Sequence, residues 1–252
     1  MHNTSESIVI VGATSSIAEH CARIWLQQGA QRLVLVGRDL ARLEPLAADL
    51  RVRAPQADIH VVRADFVHAA SIQQTVNDIV TLGGMPQQVL VAHGSLPEQA
   101  VCQRDLEQAG DALQINGISP VLFAEAFAGH MEKANAGTLA IIGSVAGERG
   151  RKSNYVYGAA KGLVTRYAEG LQHRLAATAV RVVLVKPGPT DTPMTASLKS
   201  KGAKLAPVAD VAQAIVQGMQ QGHAEVYAPA KWRLIMLVIR NLPRFVFNKM
   251  DI

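Results

Sequence analysis

Cysteine is scarce: Cys21 and Cys102 are the only two in 252 residues. No cluster of cysteine, histidine and acidic residues has metal-ligand spacing, so neither a disulfide framework nor a metal is expected. Cys21 falls in an apolar helical pattern and reads as a small core residue. Lys/Arg-rich blocks are also missing, the net charge of +5 being scattered from Arg23 to Lys249. That leaves no dedicated nucleic-acid surface and only a weak preference for anionic ligands. No linker or low-complexity stretch divides the chain. The polar start, Met1-His2-Asn3-Thr4-Ser5-Glu6-Ser7, carries no signal peptide, so a cytoplasmic location is expected. The apolar run Leu234-Ile235-Met236-Leu237-Val238-Ile239 falls far short of the roughly 20 residues that span a bilayer.

What the chain does contain is a regular alternation. Apolar strands are expected at 8–11, 33–36, 59–62, 89–91, 139–142, 180–185 and 225–227. Helical patterns lie between them at 16–28, 40–52, 70–81, 155–177 and 208–219. The stretch 104–134 is helical on both sides of Asn116. Such alternation implies right-handed crossovers and a parallel sheet covered on both faces. The continuously apolar 180–185 strand fits that burial. The expected fold is α/β: one Rossmann-like, doubly wound domain over 1–230, followed by an apolar and basic tail over 231–252.

The first strand runs into Val11-Gly12-Ala13-Thr14-Ser15-Ser16-Ile17-Ala18. A turn of small residues between strand and helix lets backbone amides approach a pyrophosphate at a helix N-terminus. Ser16 and Ala18 stand where second and third glycines would be expected, which makes this a degraded motif. The second strand ends Val36-Gly37-Arg38-Asp39. An acid at that strand end would suit the ribose hydroxyl of NAD. Gly37 takes its place, and Arg38 can pair with a 2′-phosphate, so NADP(H) is preferred and NAD(H) is left open.

Tyr157 and Lys161 stand four residues apart, on one face of a helix, with Ser144 thirteen residues before the tyrosine. A phenol is a poor acid near neutrality. An ammonium beside it is expected to lower its pKa, while the serine hydroxyl holds a substrate oxygen. A Tyr-x-x-x-Lys pair alone is a weak signal.

Together these pieces resemble the short-chain dehydrogenase/reductase family over almost the whole chain. Gly12 to Ala18, including Thr14, Ser15, Ser16 and Ile17, looks like its glycine-rich turn. Ala64-Asp65-Phe66 is similar to the segment whose aspartate contacts adenine. Ala92-His93-Gly94 lies where the family has Asn-Ala-Gly; His93 departs from that pattern and reads as structural. Asn116 matches the active-site asparagine, and Ser144, Tyr157 and Lys161 match the other catalytic positions. Pro187-Gly188-Pro189-Thr190-Asp191-Thr192 resembles the loop that closes over the nicotinamide. The resemblance implies Tyr157 as general acid or base, Lys161 as its activator and ribose ligand, Ser144 as the orienting hydroxyl, and Asn116 as holder of a relay water. It also implies cofactor contacts from Asp65, Gly94 and Thr192, and a homodimer or homotetramer built on the 104–134 and 155–177 helices.

A narrower resemblance concerns Ser144-Val145-Ala146-Gly147-Glu148-Arg149-Gly150-Arg151-Lys152-Ser153-Asn154, the 194–199 region and the last 25 or so residues. These are similar to reductases of decaprenylphosphoryl 2-keto-ribose, which complete a two-step epimerisation of a pentose on a lipid phosphate. The implied substrate is a keto-sugar on a polyprenyl phosphate, with Arg149, Arg151 or Lys152 near the phosphate and a flavin-dependent oxidase as functional partner. Basic residues and Trp232, Phe245 and Phe247 around the apolar run would let the tail lie at a membrane interface; a substrate lid or subunit contact is the other reading. The alternative substrates are a soluble ketone, a 3-oxoacyl thioester or a steroid-like alcohol. The alternative from another class is a non-catalytic NADPH-binding module.

Overall fold

A computed structural model describes residues 7–251. The polar segment read as lacking a signal peptide lies, except for Ser7, outside the described residues. The strands are β1 (Ser7–Val11), β2 (Arg32–Gly37), β3 (Asp58–Arg63), β4 (Gln88–Val91), β5 (Thr138–Ile142), β6 (Arg181–Pro187) and β7 (Glu225–Ala228). All pair in parallel, in the order β3-β2-β1-β4-β5-β6-β7. The helices are α1 (Ser16–Gln27), α2 (Leu40–Arg53), α3 (Ala69–Gly83), α4 (Gln99–Cys102), α5 (Leu106–Leu113), α6 (Ser119–Ala134), α7 (Tyr155–Leu175), α8 (Ala196–Ser200), α9 (Val208–Gln221), α10 (Trp232–Asn241) and α11 (Arg244–Phe247).

The period-two pleat sorts the strand side chains into two cores. Ile8, Ile10, Leu33 and Leu35 face one side with α1, α2 and α9. Val9, Val11, Val34 and Val36 face the other with α3, α6 and α7. Because both faces are covered, the strands are apolar at successive positions, and the expected single doubly wound domain is what forms. Cys21 is fully buried, as its helical spacing implied, and burial pushes its thiol pKa upward.

Strand order reverses between β1 and β4, so a crevice opens beyond the carboxyl ends of these two strands. The expected helices on either side of Asn116 are α5 and α6. A single π-helical turn, Gln114–Ile118, joins them with the asparagine inside it. The short elements α4, α8 and the 3₁₀ turn Val145–Glu148 span five residues or fewer, too few to show a helical period.

The last residues fold back on the sheet's carboxyl edge. Met236 of α10 is fully buried against Val145 and Tyr227, with Trp232 and Ile239 packed around it. Segment 232–247 therefore touches the loops that follow β5 and β6.

Candidate active site

Gly12 ends β1 with φ +84°, and a Cβ there would lie 2.6 Å from the His93 backbone nitrogen. Only glycine allows this turn to pass the end of β4. The Gly12 and Ala13 amides both donate to the Val36 carbonyl, at 2.8 and 3.1 Å, tying the turn to β2. Ser15 occupies the cap of α1 without a side-chain bond to it. The positive end of α1 therefore faces a cleft lined by Gly12, Thr14, Ser15, Ser16 and Ile17. Ala18 is in the core and does not line the cleft, so the missing third glycine leaves the cleft wall unaltered.

At the end of β2, Asp39 is spent as the cap of α2, accepting from Ala41 N at 2.9 Å. The cleft wall is left with Gly37, Arg38 and, one helical turn later, Arg42. Neither arginine has a carboxylate partner among the described residues. Arg42 escaped the sequence reading because its position becomes informative only once α2 starts at Leu40. Phe66 forms the opposite wall, 6.0 Å from the Arg38 guanidinium.

Asp65 requires a correction. It does not line the cleft; its carboxylate accepts from Val67 N at 2.7 Å and pairs with His68 Nδ1 at 2.5 Å. The hydrogen bond from the Val67 amide, then that from the His68 side chain, hold it below the usual carboxylate range. Its neighbour Phe66 supplies the surface instead. His93 stands edge-on to Phe66, with centroids 4.6 Å apart, and its Nε2 meets Ser119 Oγ at 2.9 Å. Burial, reinforced by the Lys161 and Arg38 charges, depresses its pKa well below the ordinary value. A neutral, packed imidazole agrees with its reading as structural.

The deeper compartment is lined by Asn116, Ser144, Tyr157, Lys161, Pro187, Gly188, Thr190 and Thr192. His93, Gly94, Ser15, Ile17, Thr192 and Met194 line both compartments, so the cleft is continuous. Ser144 is extended, and its Oγ accepts from Ala146 N at 3.1 Å, fixing the start of the Val145–Glu148 turn. That turn lies directly on α7: a Cβ on Gly147 would fall 2.6 Å from the Lys161 carbonyl. The approach brings the Ser144 hydroxyl beside the Tyr157 phenol in one compartment.

Lys161 is buried, donates from Nζ to the Ile142 carbonyl at 2.8 Å, and lies 5.9 Å from the Tyr157 ring centroid. Burial brings its pKa down to about 8. The expected lowering of the phenol pKa is not what the isolated chain displays. Desolvation raises Tyr157 above its ordinary value, against the opposing Ser144 bond. The reason is geometric: the ammonium is held by Ile142 and makes no hydrogen bond to the phenol. Asn116, wholly buried, donates to Ala112 O at 2.9 Å and accepts from Ser95 N at 2.8 Å. Ser95 and Met194 are cleft residues that sequence reasoning missed, lying in loops without a periodic signature.

Comparison with known proteins agrees with this architecture. Residues 6–203 match the model of a family described as short chain dehydrogenase. An uncharacterized oxidoreductase of Mycobacterium tuberculosis is 32% identical, the match covering 96% of each chain. Another from Streptomyces coelicolor is 30% identical over 97% of this chain and 95% of the relative. Among solved structures, a short-chain dehydrogenase from Sphingobium yanoikuyae, in complex with NADPH, superimposes with a TM-score of 0.78. It shares 22% identity, and the match covers 95% of this chain and 97% of that one.

The Lys161 geometry has a measurable consequence. With its folded pKa near 8 and an ordinary value of 10.5, the unfolded chain holds a proton in this window that the folded chain has lost. Stability from this group therefore rises from pH 8 to 10.5 and is lost as pH falls through 8. Relative to Lys161→Met, urea denaturation should show the unmodified protein gaining roughly 2–3 kcal/mol across that interval. A difference independent of pH would mean that the ammonium is not desolvated.

Proposed function

Since this chain belongs to the short-chain dehydrogenase family, an oxidoreductase family, we propose that it is an NADPH-dependent carbonyl reductase acting on a keto-sugar carried by a polyprenyl phosphate. The observation that carries the reading is the meeting of Ser144, Tyr157 and Lys161 in a compartment continuous with the nucleotide cleft.

The residues present suit a dinucleotide. Gly12 lets the turn pass close against β4 and line the cleft, the α1 amides are free of side-chain capping, and the Arg38–Arg42 pair suits a 2′-phosphate where an acid would suit a bare ribose. When bound, the nicotinamide supplies or takes up the hydride. Ser144 Oγ holds the carbonyl oxygen, and Tyr157 gives that oxygen its proton in reduction or removes it in oxidation. Lys161, held by the Ile142 carbonyl, places a positive charge near the phenol and would hold the ribose of a bound cofactor. Asn116 would back the relay from its π turn, and the Pro187–Thr192 loop, which lines the compartment, would hold the cofactor. Burial raises the phenol pKa in the free chain, so proton transfer to the developing alkoxide depends on the charges assembled in the complex.

Support for a lipid-phosphate substrate is narrower than the sequence implied. Of the three basic loop residues, Arg149 is held by α10 carbonyls and stacks on Phe247, and Lys152 pairs with Asp251. Arg151 is the one left for a phosphate: it is half-buried, burial lowers its pKa, and its Nε has no partner among the described residues. No helix among the described residues is long and apolar enough to cross a membrane. The outer face of α10, however, exposes Leu234, Leu237 and Val238, with Phe245 beyond it and Lys231, Arg233 and Arg244 at its ends. This composition fits a peripheral contact with an anionic lipid surface. A flavin-dependent oxidation of the corresponding alcohol would supply the keto-sugar, and the α5–α6 and α7 helices are the surfaces on which a homodimer or homotetramer would form.

Turnover is the first test. NADPH absorbance should fall with a polyprenyl-phosphoryl keto-pentose and less, or not at all, with soluble ketones and 3-oxoacyl thioesters. Tyr157→Phe should cut kcat by about 100- to 10,000-fold while leaving NADPH affinity intact; undiminished turnover would remove the tyrosine from the chemistry. Arg38→Ala combined with Arg42→Ala should weaken NADPH binding by about tenfold or more and leave NADH binding unchanged. Equal losses for the two nucleotides would exclude a 2′-phosphate site. For the lipid contact, Leu234→Ser with Val238→Ser in the full chain should abolish flotation with anionic vesicles; identical partitioning of variant and parent would reject it.

A further inference from the structure

The Val145–Glu148 turn ends on a buried carboxylate. The Glu148 side chain is 2% exposed, as is that of Lys186, whose Nζ lies 3.3 Å from Glu148 Oε1. Arg240 of α10 approaches from the other side, its Nε 3.2 Å from Oε2. Lys186 also pairs with Glu225 and lies 3.5 Å from the Tyr227 hydroxyl. Burial and the neighbouring Glu148 carboxylate keep that phenol protonated. Two carboxylates and two cations make a cluster without net charge, the condition under which ions survive in an interior.

The cluster joins three segments. Glu148 closes the turn that starts at Ser144, Lys186 stands directly before Pro187-Gly188, and Arg240 belongs to the C-terminal helix. Arg149, the next residue, adds a second tie. Its Nη1 donates to the carbonyls of Ile239, Arg240 and Leu242, which lie at the C-terminal end of α10. Its guanidinium stacks 3.8 Å over the Phe247 ring. Met236 packs against Val145, and the Trp232 indole lies on Gly188.

We infer that Glu148 is a positioning residue for Ser144, and that α10, held by Arg240 and Arg149, is a working part of the reacting compartment. Ser144 Oγ is fixed by the amide of Ala146 within the same turn. A turn that shifts to hydrate an unpaired Glu148 therefore carries the hydroxyl away from Tyr157. The link to chemistry rests on the proposed roles of Ser144, Tyr157 and Lys161; the mechanical tie does not.

Arg240 is half-exposed, so Arg240→Met removes one partner of Glu148 without opening the core. Amide hydrogen exchange on the full chain should show protection in residues 144–149 falling about tenfold or more, with the 12–17 turn unchanged. Arg240→Lys, which keeps the charge, should restore most of it. With the panel ketone reduced fastest by the parent, Arg240→Met should lower kcat about tenfold with KM and NADPH affinity within about threefold. Unchanged protection of 144–149, uniform loss across the chain, or a lysine variant no better than methionine would each overturn the inference. So would an undiminished kcat in a variant with lost protection. If the parent reduces no ketone, the reductase reading fails, and the exchange comparison still decides whether Glu148 and α10 fix the turn.

Discussion

The crossing of the Val145–Glu148 turn over α7 is the contact on which the cleft depends. Gly147 lies on the Lys161 carbonyl, where any side chain would collide with backbone. Through that contact, the loop after β5 brings Ser144 to Tyr157, and β5 itself brings the Ile142 carbonyl to Lys161 Nζ. A hydroxyl, a phenol and an ammonium from two elements thus meet without a flexible linker between them. The same principle governs the nucleotide side, where Gly12 lets the β1 turn pass the end of β4. Both halves of the site are backbone-to-backbone approaches at the carboxyl edge of a rigid sheet. That is where strand reversal leaves room for a ligand.

Charge burial follows from this packing. The closeness that aligns Lys161 also strips it of water, lowering its pKa to about 8 and raising that of Tyr157. Arg38 and Lys161 contribute to keeping His93 neutral, although desolvation does most of it. The cleft therefore carries positive charge at both ends, from Arg38 with Arg42 and from Lys161, with an uncharged aromatic wall of Phe66 and His93 between them. Such a field favours a ligand with anionic groups along its length.

The fold was readable from the sequence because its signal is periodic and long. Strands apolar on both faces, alternating with helices of 12 or more residues, leave little choice but a covered parallel sheet. The residues expected to catalyse or to bind the cofactor line the cleft, apart from Asp65, whereas Ala18 and the basic residues Arg149, Arg151 and Lys152 do not. Asp65 lies off the cleft because a turn carboxylate has local partners, here the amides of Val67 and His68. The phenol pKa failed for a related reason. Spacing of four residues specifies a shared helix face, but not that the ammonium would be claimed by a carbonyl of β5. Arg42 and Met194 were illegible because their positions depend on where a helix begins and how a loop returns.

The tail illustrates the same limit from the opposite direction. As sequence, residues 231–252 are an apolar run with basic flanks, which equally describes a lid, a subunit contact or a lipid-facing segment. Arg149 reads as a free cation beside Ser144, available to a phosphate. In three dimensions it serves the end of α10, and Arg240 returns the contact to Glu148. Glu148 and Arg149, adjacent in sequence and opposite in charge, both reach α10, Arg149 across 90 or more residues of chain. One face of α10 is thereby committed to the Ser144 turn, which leaves its Leu234, Leu237 and Val238 face outward. A single helix then has the Ser144 turn on one side and an apolar surface on the other.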